Sequence, residues 1–170
     1  MIRAALLALT VLATPVAAQD WSVARYMSGA LNSADSTEAY RAAIAACLVG
    51  EGDPTATLAP FAENGWAVTE DAEMGLTEIA SPNPDLYVLM ASDGSFCAAY
   101  NEAIGTEAAF LQMQTLIAST GIGAPSTPDD MGCMVYTLTP EIRLQPTSSG
   151  NDPVCEDANT SSVRVTFGAS

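Results

Sequence analysis

Apolar positions along the chain follow two periods. Tyr40, Ala43, Ile44, Cys47 and Leu48 fall at i, i+3, i+4, i+7 and i+8, which is one stripe of a helix. Asp35 or Ser36 can cap that helix, Glu38 follows in its first turn, and Gly50 stops it. A second stripe, Ala109, Phe110, Met113, Leu116 and Ile117, predicts a helix capped by Thr106 and ended by Gly121. Between the two, Asp53-Pro54 starts a shorter helix that Asn64-Gly65 ends, with Pro60 confined to a first turn or a kink. Residues 19–36 show only a loose helical start.

The other period is two. Trp66 and Val68 alternate with Ala67 and Thr69, and Leu76 to Ala80 forms the next strand after the polar Glu70-Asp71-Ala72-Glu73. Leu86 to Ala91 and Phe96 to Tyr100 flank Asp93-Gly94, the strongest hairpin signal in the chain. After the second long helix comes a loop, Ile122 to Gly132, rich in Gly, Pro and Asp and the best place for a boundary. Cys133 to Leu138 is then a strand, Pro140 marks a bend or an edge, and Ile142 to Gln145 continues that strand. Residues 146–161 form a long polar loop, and Val163, Val165 and Phe167 alternate with Arg164 and Thr166 in a half-buried strand. The fold class predicted is α+β: two amphipathic helices packed on a mainly antiparallel β-sheet, in one domain over residues 19–170.

Residues 1–18 stand apart. Arg3 precedes the apolar Ala4 to Leu12, Pro15 breaks the run, and Val16-Ala17-Ala18 ends in compact residues. This is the layout of a signal peptide cleaved after Ala18. The apolar run is far shorter than the roughly 20 residues that span a bilayer, and no later segment is longer, so no membrane span is expected. The expected location is the bacterial periplasm, with secretion as the alternative.

An oxidising compartment changes the meaning of Cys47, Cys97, Cys133 and Cys155. Four cysteines there predict two disulfides, and no CxxC spacing supports a redox motif or a zinc knuckle. Three pairings are open. A helix lying on the hairpin brings Cys47 to Cys97, and Cys133–Cys155 then ties down the long C-terminal loop. Each bridge contributes roughly 3–4 kcal/mol on loop-closure arithmetic.

Composition closes more chemistry than it opens. The chain of 170 residues has no His, its five cations are all arginines, and 20 carboxylates give a net charge of −15. There is no Ser-His or Cys-His pair, no lysine for a Schiff base and no imidazole ligand. Ser28, Ser95 and Ser149 adjoin or nearly adjoin glycines, but none lies in G-x-S-x-G. Gly121-Ile122-Gly123 is not a dinucleotide fingerprint. Such a surface repels nucleic acid and anionic lipid, and suits solubility or a basic partner. No catalytic, cofactor-binding or metal residue is assigned.

Two chemistries remain for the carboxylates. A glycan hydrolase needs only two of them with different pKa values. Calcium takes oxygen ligands, and Glu70-Asp71-Ala72-Glu73, Asp129-Asp130 and the run from Asp152 to Asp157 are the densest acid clusters, though none has EF-hand spacing. Asn159-Thr160-Ser161 matches a glycosylation sequon, taken as chance in a bacterial chain. The leading expectation is a small acidic accessory or binding module of the envelope that engages a basic protein partner. A carboxylate-dependent hydrolase of envelope glycans and a Ca²⁺-stabilised module are the alternatives.

Overall fold

The computed structural model describes residues 21–150 and 153–168, so the predicted leader, residues 1–18, lies outside the described part. The elements run α1 (Ser22–Ser28), α2 (Ser36–Val49), α3 (Pro54–Glu63), β1 (Ala67–Asp71), β2 (Leu76–Ala80), β3 (Leu86–Ala91), β4 (Phe96–Asn101), α4 (Thr106–Thr120), β5 (Ser126–Pro128), β6 (Met134–Thr139), β7 (Ile142–Thr147) and β8 (Ser161–Phe167). All eight strands join one antiparallel sheet in the order β1-β2-β3-β4-β8-β7-β6-β5. That order reads as two four-stranded meanders, each preceded by helix, whose last strands meet in the middle. The α+β class holds, with helices on one face of the sheet.

The long helix α2 is the centre of the core. Asp35 caps it, its side chain accepting from the Thr37 and Glu38 amides. Every residue from Ala42 to Leu48 is buried, so the stripe read from sequence is only its sheet-facing part. The other sides meet α1, α3 and α4. Alanines at 39, 42, 43, 45 and 46 let these neighbours approach, and a helix apolar all round belongs inside. Gly50, at its end, has an ordinary helical φ of −73°. Glycine is needed there for room, because a Cβ would stand 1.9 Å from the Thr57 hydroxyl of α3.

Cys47 faces down onto β4 and bonds to Cys97, with 5.5 Å between their Cα atoms. That bridge fixes which side chains point at the helices. Cys97, Ala99, Val88, Met90, Val163, Val165 and Leu144 lie on the helix side and in the core. The second bridge, Cys133–Cys155, is formed as expected. No helix among the described residues is long and apolar enough to cross a membrane.

Several local expectations are revised. Thr106 is the first residue of α4 rather than its cap; Gly105 occupies the cap position. Ile142 to Gln145 does not continue β6 but returns beside it as β7, after a turn at Pro140-Glu141. The loop 122–132 contains β5, three exposed residues that extend the same sheet past the suspected boundary. Pro146 sits inside β7 without cost. Odd-numbered residues of β7 bond toward β8, as the 2.9 Å bond from the Gly168 amide to the Glu141 carbonyl shows. The missing N–H of Pro146 therefore points toward β6, where the ladder has already ended at Tyr136–Leu144.

Candidate functional site

The divergence of β6 from β7 leaves a gap at one end of the sheet, and the N-terminus of α4 and the 153–160 segment wall it. The resulting cleft has a volume of about 830 Å³. Its apolar lining is Phe110, Met134, Tyr136 and Pro146, and its acidic lining is Glu107, Glu156 and Asp157. The rings of Phe110 and Tyr136 lie 5.7 Å apart in a tilted pair, which bridges α4 to β6 across the floor. Phe110 belongs to the stripe read as core, yet it is only half-buried and forms part of the floor of the cleft.

Three devices hold the acidic wall in place. The first is a stitch between the start of α4 and the 153–160 segment. The Thr106 amide donates to the Asp157 carbonyl at 2.9 Å, and the Asp157 amide donates back to the Thr106 hydroxyl at 3.0 Å. This approach is so close that a Cβ on Gly105 would meet the Asp157 carbonyl oxygen at 2.5 Å. The second device is the Cys133–Cys155 bridge, which ties the segment to the start of β6. The third is Ser148 after β7, whose amide donates to the Val154 carbonyl and whose hydroxyl accepts from the Val154 amide.

The acid clusters resolve into turns. Asp71 accepts from the Glu73 and Met74 amides, Asp129 from Met131 and Cys133, and Asp157 from Asn159 and Thr160. Carboxylates are the residues that cap such turns, so their density follows the density of tight turns. For Asp157 the Thr160 and Asn159 amides hold the carboxyl below the ordinary range. Desolvation pushes Asp129 upward, but Gln145 and the amides of Cys133 and Met131 outweigh it and hold the group low. Among the described residues no group of three or more Cys, Asp or Glu is placed to hold a metal ion.

Only the last of the three acid clusters therefore reaches the cleft, through Glu156 and Asp157, and Glu107 joins them from α4. The sequence does not mark Glu107 as a site residue because it lies 49 positions from Glu156, and only the Thr106–Asp157 stitch brings the two segments together. Of the serines that adjoin or nearly adjoin glycines, Ser28 bonds its own helix at the Arg25 carbonyl and Ser149 donates to Glu102. Neither lines the cleft. Asn159 of the sequon stands in the Asp157 turn.

The surroundings are apolar as well as acidic. Met134 is 38 % exposed, and the next-door residues Met131 (66 %) and Val154 (52 %) flank the lining positions Gly132 and Cys155. Methionine's unbranched, polarisable side chain adapts to whatever packs against it. No protein-family model matches the chain, and comparison with curated proteins and with solved structures returned no match.

Proposed function

We propose that the chain is a non-enzymatic binding module that works outside the cytoplasm, in the periplasm or beyond, and engages a basic protein partner through this cleft. The observation that carries the reading is the pairing of an acidic rim, Glu107, Glu156 and Asp157, with an apolar floor, Phe110, Met134 and Tyr136. A cationic side chain flanked by an apolar one fits both at once. The rim charges steer and select, while the apolar contacts supply most of the affinity. The net charge of −15 adds a long-range attraction for the same class of partner.

Two sulfur bridges and the lack of a membrane-crossing helix among the described residues support this location, since disulfides persist where thiols are not kept reduced. Asp157 is held ionised by the amides of its own turn, which suits a fixed rim charge that meets a cation.

The test compares the native protein with Glu107→Gln/Glu156→Gln in affinity capture from an envelope extract. Both side chains are exposed, so the pair leaves packing intact. The reading expects retained proteins of basic isoelectric point that elute with added salt and are several-fold depleted by the double variant. Retention of neutral or acidic proteins only, indifferent to salt and to the two substitutions, would overturn it.

A further inference from the structure

Besides its two outer edges the sheet has an inner one, and it opens into the cleft. In an antiparallel ladder a residue points its N–H and its C=O to the same side, and its neighbours point theirs to the other. The Thr137 amide donates to the Pro125 carbonyl at 2.9 Å, and the Cys133 carbonyl accepts from the Asp129 amide at 2.9 Å. Odd-numbered residues of this stretch therefore bond toward β5, and Met134 and Tyr136 face β7. Tyr136 finds Leu144 there, and the ladder ends at that pair. The next rung would set Met134 against Pro146. Pro146 has no N–H to give the Met134 carbonyl. Nor does the Met134 amide reach the Pro146 carbonyl, because that bond would pair Val135 with Gln145, and the ladder holds no such pair among the described residues. Both backbone groups of Met134 are thus left open on the β7 side, on a residue that is 38 % exposed and lines the cleft.

Taking the cleft as the site of a basic protein, as proposed, we infer that the part it holds is an extended strand, which completes the broken ladder at Met134. One residue of that strand donates its N–H to the Met134 carbonyl and accepts from the Met134 amide. Strand addition draws its affinity from such main-chain bonds, while pockets along the edge select side chains. Cross-strand partners share a face of the sheet. Met134 shares its face with Tyr136, whose partner Leu144 lies in the core. The incoming residue opposite Met134 therefore turns its side chain to the helix side, toward Phe110 and Tyr136. Glu107, Glu156 and Asp157 in the same walls take a cation further along the strand.

The two outer edges lack these features. β5 carries Pro128 and β1 carries Glu70 and Asp71, residues of the kinds that keep sheets from pairing edge to edge, and neither strand lines the cleft. The inner edge is also held ready. Cys133, beside Met134, is bridged to Cys155 and donates its amide to the Asp129 carboxylate at 2.9 Å. The other oxygen of Asp129 accepts from the Gln145 side chain of β7 at 2.6 Å. Gln145 alternates with the inward Leu144, so this link runs on the face away from the helices and leaves the cleft side clear. Both sides of the gap are fixed before a partner arrives, which lowers the ordering cost of binding.

The test uses the native protein and a nonapeptide of alternating Lys and Leu, with two further forms N-methylated at every Leu amide or at every Lys amide. Along a strand those amides form opposite edges, and a methyl group removes the donor and blocks approach. Titration followed by backbone amide shifts gives each Kd. Hydrogen exchange at Met134 is read against Val135, whose amide already bonds toward β5. One methylated form is expected to bind about tenfold more weakly or worse, and the other to bind as the parent does. Saturating parent peptide is expected to slow exchange of the Met134 amide by about tenfold or more. Equal binding by the two methylated forms, or Met134 exchange unchanged at saturation, would overturn the added strand. The cleft would still stand as the basic partner's site if shifts at Phe110 and Tyr136 persist and weaken with Glu107→Gln/Glu156→Gln. No shift at Phe110 or Tyr136 with any of the three peptides would remove that site, and the added strand with it.

Discussion

Aspartates 35, 53, 71, 93, 129 and 157 act alike, since each accepts a hydrogen bond from a backbone amide two to four residues further on. Such bonds favour the ionised carboxylate, and the carboxyls of Asp93, Asp129 and Asp157 are held below the ordinary range. For Asp93 the cause is the Ser95 amide. The consequence for stability has a definite sign. A carboxyl with a lowered folded pKa stabilises fully above its unfolded value, about 3.9, and that stability is lost as pH falls through the lower folded value. Tm measured by calorimetry from pH 7 to pH 2 is therefore expected to fall below about pH 4, and Asp157→Asn to flatten part of that fall. Relief of the net negative charge would act in the opposite direction. An Asp157→Asn protein whose Tm falls with pH as steeply as the native protein's would contradict this role for Asp157.

At the scale of elements, the two disulfides differ in exposure and so in vulnerability. Cys47 and Cys97 are 0 % and 1 % exposed between α2 and β4, whereas Cys155 is half-exposed on the wall of the cleft. Exchange needs a thiolate to reach a sulfur. Mild dithiothreitol followed by alkylation and peptide mass mapping is expected to label Cys133 and Cys155 first. Loss of a bridge closing 22 residues of sequence separation removes roughly 3 kcal/mol, on the order of 10 °C in Tm for a chain of this size. Equal labelling of all four cysteines from the start would show that burial does not protect the first bridge. The elements themselves are partly legible in the sequence. Leu76–Ala80 and Leu86–Ala91 have the expected ends because apolar alternation and turn residues agree there. β5 is not legible, because its three exposed residues include Pro128 and carry no apolar period. The return of β7 reads as a continuation of β6 because Pro140 alone does not say whether a chain bends or reverses.

At the scale of the whole molecule, the Cys47–Cys97 pairing follows from a layer argument, an inward helix cysteine above an inward strand cysteine, and Cys133–Cys155 then takes the remaining pair. The cleft does not follow, since it depends on where two ladders part and on Gly105 letting α4 approach the 153–160 segment. Long-range closeness of that kind leaves no periodic trace. The most direct test of the account is a map of backbone amide shifts on titrating an alternating Lys-Leu nonapeptide at physiological salt. The account predicts saturable shifts confined to residues 105–110, 132–136 and 155–158, weakened by Glu107→Gln/Glu156→Gln. Shifts spread over every acidic turn alike, or none near Phe110 and Tyr136, would contradict it.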